Sequence, residues 1–226
     1  MAELKEARLK IGVLISGRGS NLQALIEACA RPDYPAEIAL VIANRADAFG
    51  LERARQAGLA MRVIPHRDFA DRASFDAALD EALRRADVEL VCNAGFMRIL
   101  TPWFVERWRD RQINIHPSLL PAFPGLHTHE RVLAAGVRFS GCTVHFVRAA
   151  MDTGPIIAQA VVPVLPDDDA ERLAARVLAA EHRLFPLALR LVAEGRVRIV
   201  AGADGSERVA IAGAAAPREA ILNPLD

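Results

Sequence analysis

The sequence lacks the marks of an oxidising compartment. Its three cysteines, Cys29, Cys92 and Cys142, are odd in number, far apart and set among apolar neighbours. That pattern fits neither a disulfide framework nor a zinc site, and predicts small core residues in a reducing, cytoplasmic setting. No apolar run approaches the roughly 18 residues of a membrane span. The opening Met-Ala-Glu-Leu-Lys-Glu-Ala-Arg carries acids and no apolar stretch, which argues against a secretory signal. Excess charge is missing as well, since 28 basic side chains balance 28 acidic ones. Without a positive surplus nothing draws the chain to nucleic acid or an anionic membrane, so the expected partners are small molecules. No carboxylate cluster is spaced for a divalent cation, and His127 and His129 are too few for zinc, so no metal is expected.

What is present is a globular mix: 226 residues, 52% apolar and 25% charged, enough for one α/β domain with a substantial core. Short β-type runs alternate with helical patterns. Lys10–Ile15, Ile38–Ala43, Met61–Ile64, Val88–Asn93 and Gln112–Ile115 read as strands. Leu22, Leu25, Ile26 and Cys29 recur at helical spacing behind a capping box of Ser20 and Gln23. A helix over Leu51–Gln56 ends at Gly58, Ser74 opens another, and Thr101-Pro102 supplies an N-cap and a proline at N1. Phe139–Val147 and Ile156–Val164 are further β segments. A long helix from about Asp167 to Glu194 comes next, which Pro186 should kink or divide. Arg196–Ala201 and Arg208–Ile211 flank Asp204-Gly205 as a hairpin. The expected fold is a Rossmann-like, open, mostly parallel twisted sheet with helices on both faces and antiparallel strands in the C-terminal part. Residues 1–195 should form the α/β domain, and 196–226 the hairpin and a loosely held tail.

Ligands of open α/β sheets bind beyond the carboxyl ends of the strands. Four loops there carry unusual residues. Ser16-Gly17-Arg18-Gly19-Ser20-Asn21 joins a strand to a helix start, where free N–H groups suit an anion. It lacks the third glycine of a dinucleotide fingerprint and the Gly-Lys-Ser/Thr of a P-loop, so a single phosphate is the fitting guest, or else the loop is a plain turn. Asn93–Leu100 sets apolar side chains beside Gly95, either a turn or the wall of an apolar pocket. In Asn114-Ile115-His116-Pro117, an amide and an imidazole share one strand face and can donate to one developing oxyanion. Pro117, Pro121 and Pro124 stiffen the loop beyond this strand end. In Met151-Asp152-Thr153-Gly154-Pro155, the carboxylate either caps a turn or, near His116, favours the imidazolium for proton transfer.

These runs resemble the phosphoribosylglycinamide formyltransferase family. The likeness is carried by Ile11–Gln23, Asn44–Gly58, Ala94–Leu100, Asn114–Pro121, Phe123–His129, Thr143–Val147 and Met151–Pro155, in family order over roughly residues 10 to 195. It implies formyl transfer from 10-formyltetrahydrofolate, as cosubstrate, to the amine of a ribonucleotide in purine synthesis. Asn114, His116 and Asp152 would be the catalytic trio, and Gly19, Ser20 and Asn21 would hold the phosphate. Glu181 would contact the substrate near its glycinamide end. Arg72, Met97, Arg98, Ile99, Leu100, Arg148, Ala149, Ala150, Met151 and Asp152 match folate-contacting positions. Thr153 departs from a frequent glycine. A methionyl-tRNA formyltransferase would add a tRNA-binding domain and a formyltetrahydrofolate hydrolase a regulatory one, and 226 residues leave room for neither. A sensor without turnover is the alternative from another class.

Overall fold

The computed structural model describes residues 7–213, 215 and 221–223. Most of the expected loose tail lies outside them. Seven strands form one sheet, in the order β3-β2-β1-β4-β5-β6-β7. They are β1 (Leu9–Ile15), β2 (Ala36–Ala43), β3 (Met61–Val63), β4 (Leu90–Asn93), β5 (Gln112–His116), β6 (Phe139–Phe146) and β7 (Ile156–Pro163). All pairings up to β5 are parallel, and β6 alone runs against its neighbours. The chain builds outward from β1 to β3, then returns to place β4 on the other side of β1. That reversal opens a crevice at the carboxyl ends of β1 and β4.

Alternation along each strand assigns every side chain a face. On one face Ile11, Val13 and Ile15 of β1 join Leu90 and Cys92 of β4 and Ile113 and Ile115 of β5. This cluster is covered by α1 (Ser20–Cys29) and α6 (Ala170–Ala193). On the other, Leu14, Ile42 and Val91 pack under α3 (Arg72–Arg85) and α4 (Pro102–Arg107) through Phe75, Leu79, Leu83, Phe104 and Val105. Past β4 this second face turns polar, with Asn93, Gln112, Asn114, His116, Thr143 and His145. The site lies where apolar cover gives way.

Several ends differ from the sequence reading. Ser20 does not cap α1. Gly19 holds the cap position in a left-handed conformation, and no side chain caps the helix. A Cβ at Gly19 would stand 2.5 Å from Gly50 Cα, so this approach of two loops demands glycine. Ser74 is likewise inside its helix: Asp71 is the cap and accepts from Ser74 N at 2.8 Å. β4 starts after Val88 because that residue's N–H closes the preceding helix on Leu83 O. Pro186 does not divide α6, which runs unbroken for 24 residues. A short helix, α5 (Thr128–Ala134), has no counterpart in the sequence reading. Thr101 does cap α4 with Pro102 in its first turn, and Gly58 adopts the left-handed conformation at the end of α2 (Gly50–Gln56). The hairpin is present as β8 (Val197–Ala201) and β9 (Glu207–Ile211). The three cysteines are free and buried. Among the described residues no helix is long and apolar enough to cross a membrane.

Candidate active site

The β1–α1 loop lines a cleft of about 850 Å³, together with Asn44–Asp47, Pro65–Arg67 and the start of the Ala94–Arg98 loop. With no side-chain cap, the first N–H groups of α1 are left for a guest, and the first turn carries no acid to oppose an anion. Gly19, Ser20 and Asn21 all line this cleft. Asn21 also reaches across the fold, donating from Nδ2 to Glu181 Oε2 at 2.7 Å. Its Oδ1 is buried and unpaired among the described residues. Burial pushes the Glu181 carboxyl above its ordinary range, against the lowering effect of that Asn21 bond. α6 thus delivers Glu181 to the β1–α1 loop, although 160 residues separate the two partners.

Asn114, His116 and Asp152 converge one strand further on. Asn114 and His116 point from the same face of β5. Asp152 sits in the loop between β6 and β7 with φ of 55°, a conformation uncommon outside glycine but open to aspartate. Its Oδ2 lies 3.4 Å from His116 Nδ1 and accepts from Gly125 N at 2.8 Å. The loop is pressed onto the strand end: a Cβ on Gly154 would stand 1.7 Å from Phe146 O, so only glycine fits. The other nitrogen of His116, Nε2, donates to Phe123 O at 3.0 Å. Both ring nitrogens therefore face protein partners, and donation to a substrate oxygen requires Nε2 to leave that carbonyl. The loop bearing Phe123 is braced by Ser118 Oγ on Ala122 O at 2.7 Å and by Thr143 Oγ1, which joins Ser118 O to Leu120 N.

Sequence reasoning assigned no role to His145. It stands opposite Asn114 in the β5–β6 register, and that cross-strand position in a strand of mainly apolar residues was its only signal. Its Nδ1 faces the carbonyl of Phe146 at 2.9 Å and so carries the proton. Burial holds the ring below the usual histidine range, hence neutral. Nε2 is then an acceptor and takes a bond from Asn114 Nδ2 at 3.2 Å, which fixes the amide. One Asn114 N–H remains free to donate. Asp152 Oδ1 is 3.8 Å from the same His145 nitrogen, so the carboxylate stands between two imidazoles.

The remaining expected positions fall on two loops and, for Arg72, at the start of α3. Met97 N donates to Ser16 Oγ at 2.8 Å, and Thr101 ties the far end of that loop to buried Asp76 through two bonds of 2.6 Å. Arg72 and Arg98 both lie near enough to Asp76 to favour its charged form, against the larger raising effect of burial. Met97, Ile99, Leu126 and Met151 are exposed, while Leu100 is buried. The Arg148 guanidinium is engaged elsewhere, on Glu207 Oε2 at 2.6 Å and Asp110 Oδ1 at 2.7 Å. That position can offer a ligand its backbone only. Among the described residues no group of three or more His, Cys, Asp and Glu could hold a metal.

Relatives share this architecture. Phosphoribosylglycinamide formyltransferase of Escherichia coli is 46% identical over 191 residues, covering 84% of this chain and 90% of that protein. The trifunctional purine biosynthetic protein adenosine-3 of Drosophila pseudoobscura is 55% identical over 200 residues, 87% of this chain; the match spans only 15% of that longer protein. Glycinamide ribonucleotide transformylase 1 of Symbiobacterium toebii superposes with a TM-score of 0.86 at 50% identity, covering 90% and 94% of the two chains. With residues 9–189 matched to formyl transferase, from β1 to late in α6, the chain belongs to that family.

Proposed function

We propose that the chain transfers the formyl group of 10-formyltetrahydrofolate to the amine of 5'-phosphoribosylglycinamide, releasing tetrahydrofolate, in de novo purine synthesis. The names and identities of its relatives support this reading. So does the convergence of Asn114, His116 and Asp152 at the carboxyl end of β5, two strands along the sheet from the loop that would hold the phosphate, which is the observation that carries it. The substrate amine is a nucleophile once neutral, so no serine or cysteine need be activated. Its nitrogen bonds to the formyl carbon, the bond from that carbon to the folate nitrogen breaks, and a proton passes from the first nitrogen to the second. The free Asn114 N–H and His116 Nε2 stabilise the oxygen of the tetrahedral intermediate. Asp152 holds the His116 ring and assists the proton's passage.

Gly19, Ser20 and Asn21 receive the phosphate, and Glu181 the substrate near its glycinamide end. Arg72, Arg98 and the Met97–Leu100 loop meet the folate from one side, and the backbone of Arg148–Asp152 from the other. The ligands are small molecules, and buried reduced thiols accord with a cytoplasmic setting. Incubation with 10-formyltetrahydrofolate, with and without the ribonucleotide, tests the reading through the change in folate absorbance. Turnover that depends on the ribonucleotide is expected. Equal turnover without it would make the protein a hydrolase, and binding without turnover a sensor.

A further inference from the structure

Two buried amides beside Asn114 take no part in the proposed reaction. Gln112 opens β5 on the same face as Asn114 and His116. Asn93 ends β4 and stands beside Asn114 in register. Gln112 Nε2 donates to Asn93 Oδ1 at 3.2 Å, and both residues are buried. One bond between two amides engages the NH2 of one and the C=O of the other, and leaves the second NH2 and the second C=O without a partner in the pair. What remains is the Asn93 amide NH2 and Gln112 Oε1, which is buried and unpaired among the described residues. Turning both amides over exchanges the roles and still leaves one donor and one acceptor. The fold does not ask for polarity here, since Val91, Leu100, Phe104 and Val147 on this face belong to an apolar cluster. Apolar residues of like volume would spare the chain an unpaired buried carbonyl.

Both folate-side loops start at this pair. The Ala94–Leu100 loop leaves directly from Asn93, and Val147, which leads into Arg148–Asp152, donates its N–H to the Gln112 carbonyl at 2.9 Å. We propose that the Asn93–Gln112 pair determines specificity for the heterocycle of the formyl donor, its spare donor and acceptor reading an adjacent C=O and N–H on the ring edge, as in a pterin lactam. The ring arrives from the side of Asn93, the more exposed of the two. This rests on the proposed formyl-folate activity.

Calorimetric binding of 10-formyltetrahydrofolate to the full chain tests it, comparing wild type with the double variant Asn93→Leu/Gln112→Leu. The double change removes both amides together, so neither is stranded, and it leaves Asn114, His116 and Asp152 in place. A folate Kd raised roughly tenfold or more is expected, from two lost neutral hydrogen bonds. Melting temperature should hold or rise, and binding of N-(4-aminobenzoyl)glutamate, a folate fragment without the heterocycle, should be unchanged. An unchanged folate Kd would overturn the proposal. Equal weakening of the fragment would also overturn it, by exposing a general disturbance of the cleft. Absence of formyl-folate binding by the wild type would bring down the functional reading and this proposal with it.

Discussion

Asn114 has its amide held by a neutral histidine, and His116 has its ring held between a carboxylate and a carbonyl. The Asn114 donor can thus act without reorganising, whereas His116 must first turn Nε2 away from Phe123 O. Asn114→Ala and His116→Ala should each lower kcat by about 10²–10³. Asp152→Asn should reduce kcat far more than it raises KM, and steady-state kinetics in both substrates will tell the two apart. Near-wild-type turnover in the first two variants would remove them from the mechanism. Glu181 invites a different measurement. Its carboxyl is raised above the ordinary 4.5 by burial, so the fold disfavours the charged form. That penalty is absent below the unfolded value, grows as pH rises past 4.5, and is complete above the folded value. Glu181→Gln should therefore melt higher than wild type at pH 8, with the gain shrinking as pH falls towards 4.5. If Glu181 touches the substrate, the same variant raises KM for the ribonucleotide and leaves that for the folate alone. Melting curves across pH and paired KM values check both halves.

At the scale of elements, most signals are local and legible in the sequence. Thr101-Pro102 and Gly58 act through the nearest turn, so the residues around them suffice. The two expected caps that fail, Ser20 and Ser74, lie beside better candidates, Gly19 and Asp71. Gly19 is required by the approach of Gly50, which no local pattern announces. Pro186 defies the sequence reading for an energetic reason. A proline inside a helix costs about 3 kcal/mol. α6 buries Leu173, Val177, Leu184, Phe185 and Leu189, each contributing about 1.5–3 kcal/mol, so packing prevails and the helix stays whole. The Pro186 carbonyl also accepts a bond from Tyr34 Oη at 2.7 Å. Pro186→Ala restores the missing N–H and should raise unfolding stability by about 1–3 kcal/mol, visible as a higher urea midpoint. A lower midpoint would mean that the ring packs too well to lose.

For the whole molecule, the sheet reverses its direction of growth at β1, and this single topological fact puts the β1–α1 loop and the β4 loop side by side. Of the two buried clusters, one on each face, the first holds all three cysteines. Burial pushes the thiols of Cys29 and Cys142 up to about 12, and that of Cys92 well above its usual value. A thiol reagent at neutral pH should thus label none of them in the native protein and all three once it unfolds, with a rate set by opening. Fast labelling under native conditions would contradict the burial of this cluster.

The sequence by itself determined the order of the strands and of the helices other than α5, the α/β class, the glycine-bearing loops and the candidate trio, because these arise from near neighbours and from motifs contiguous in the chain. Tertiary structure decided what the residues do to one another. Asn21 meets Glu181 across 160 positions, His145 reaches Asn114 only through an antiparallel register, and Arg148 turns to Glu207 on a distant hairpin. Such pairings depend on how strands line up and which faces are covered, and those are settled by burying the apolar surface of the whole chain at once.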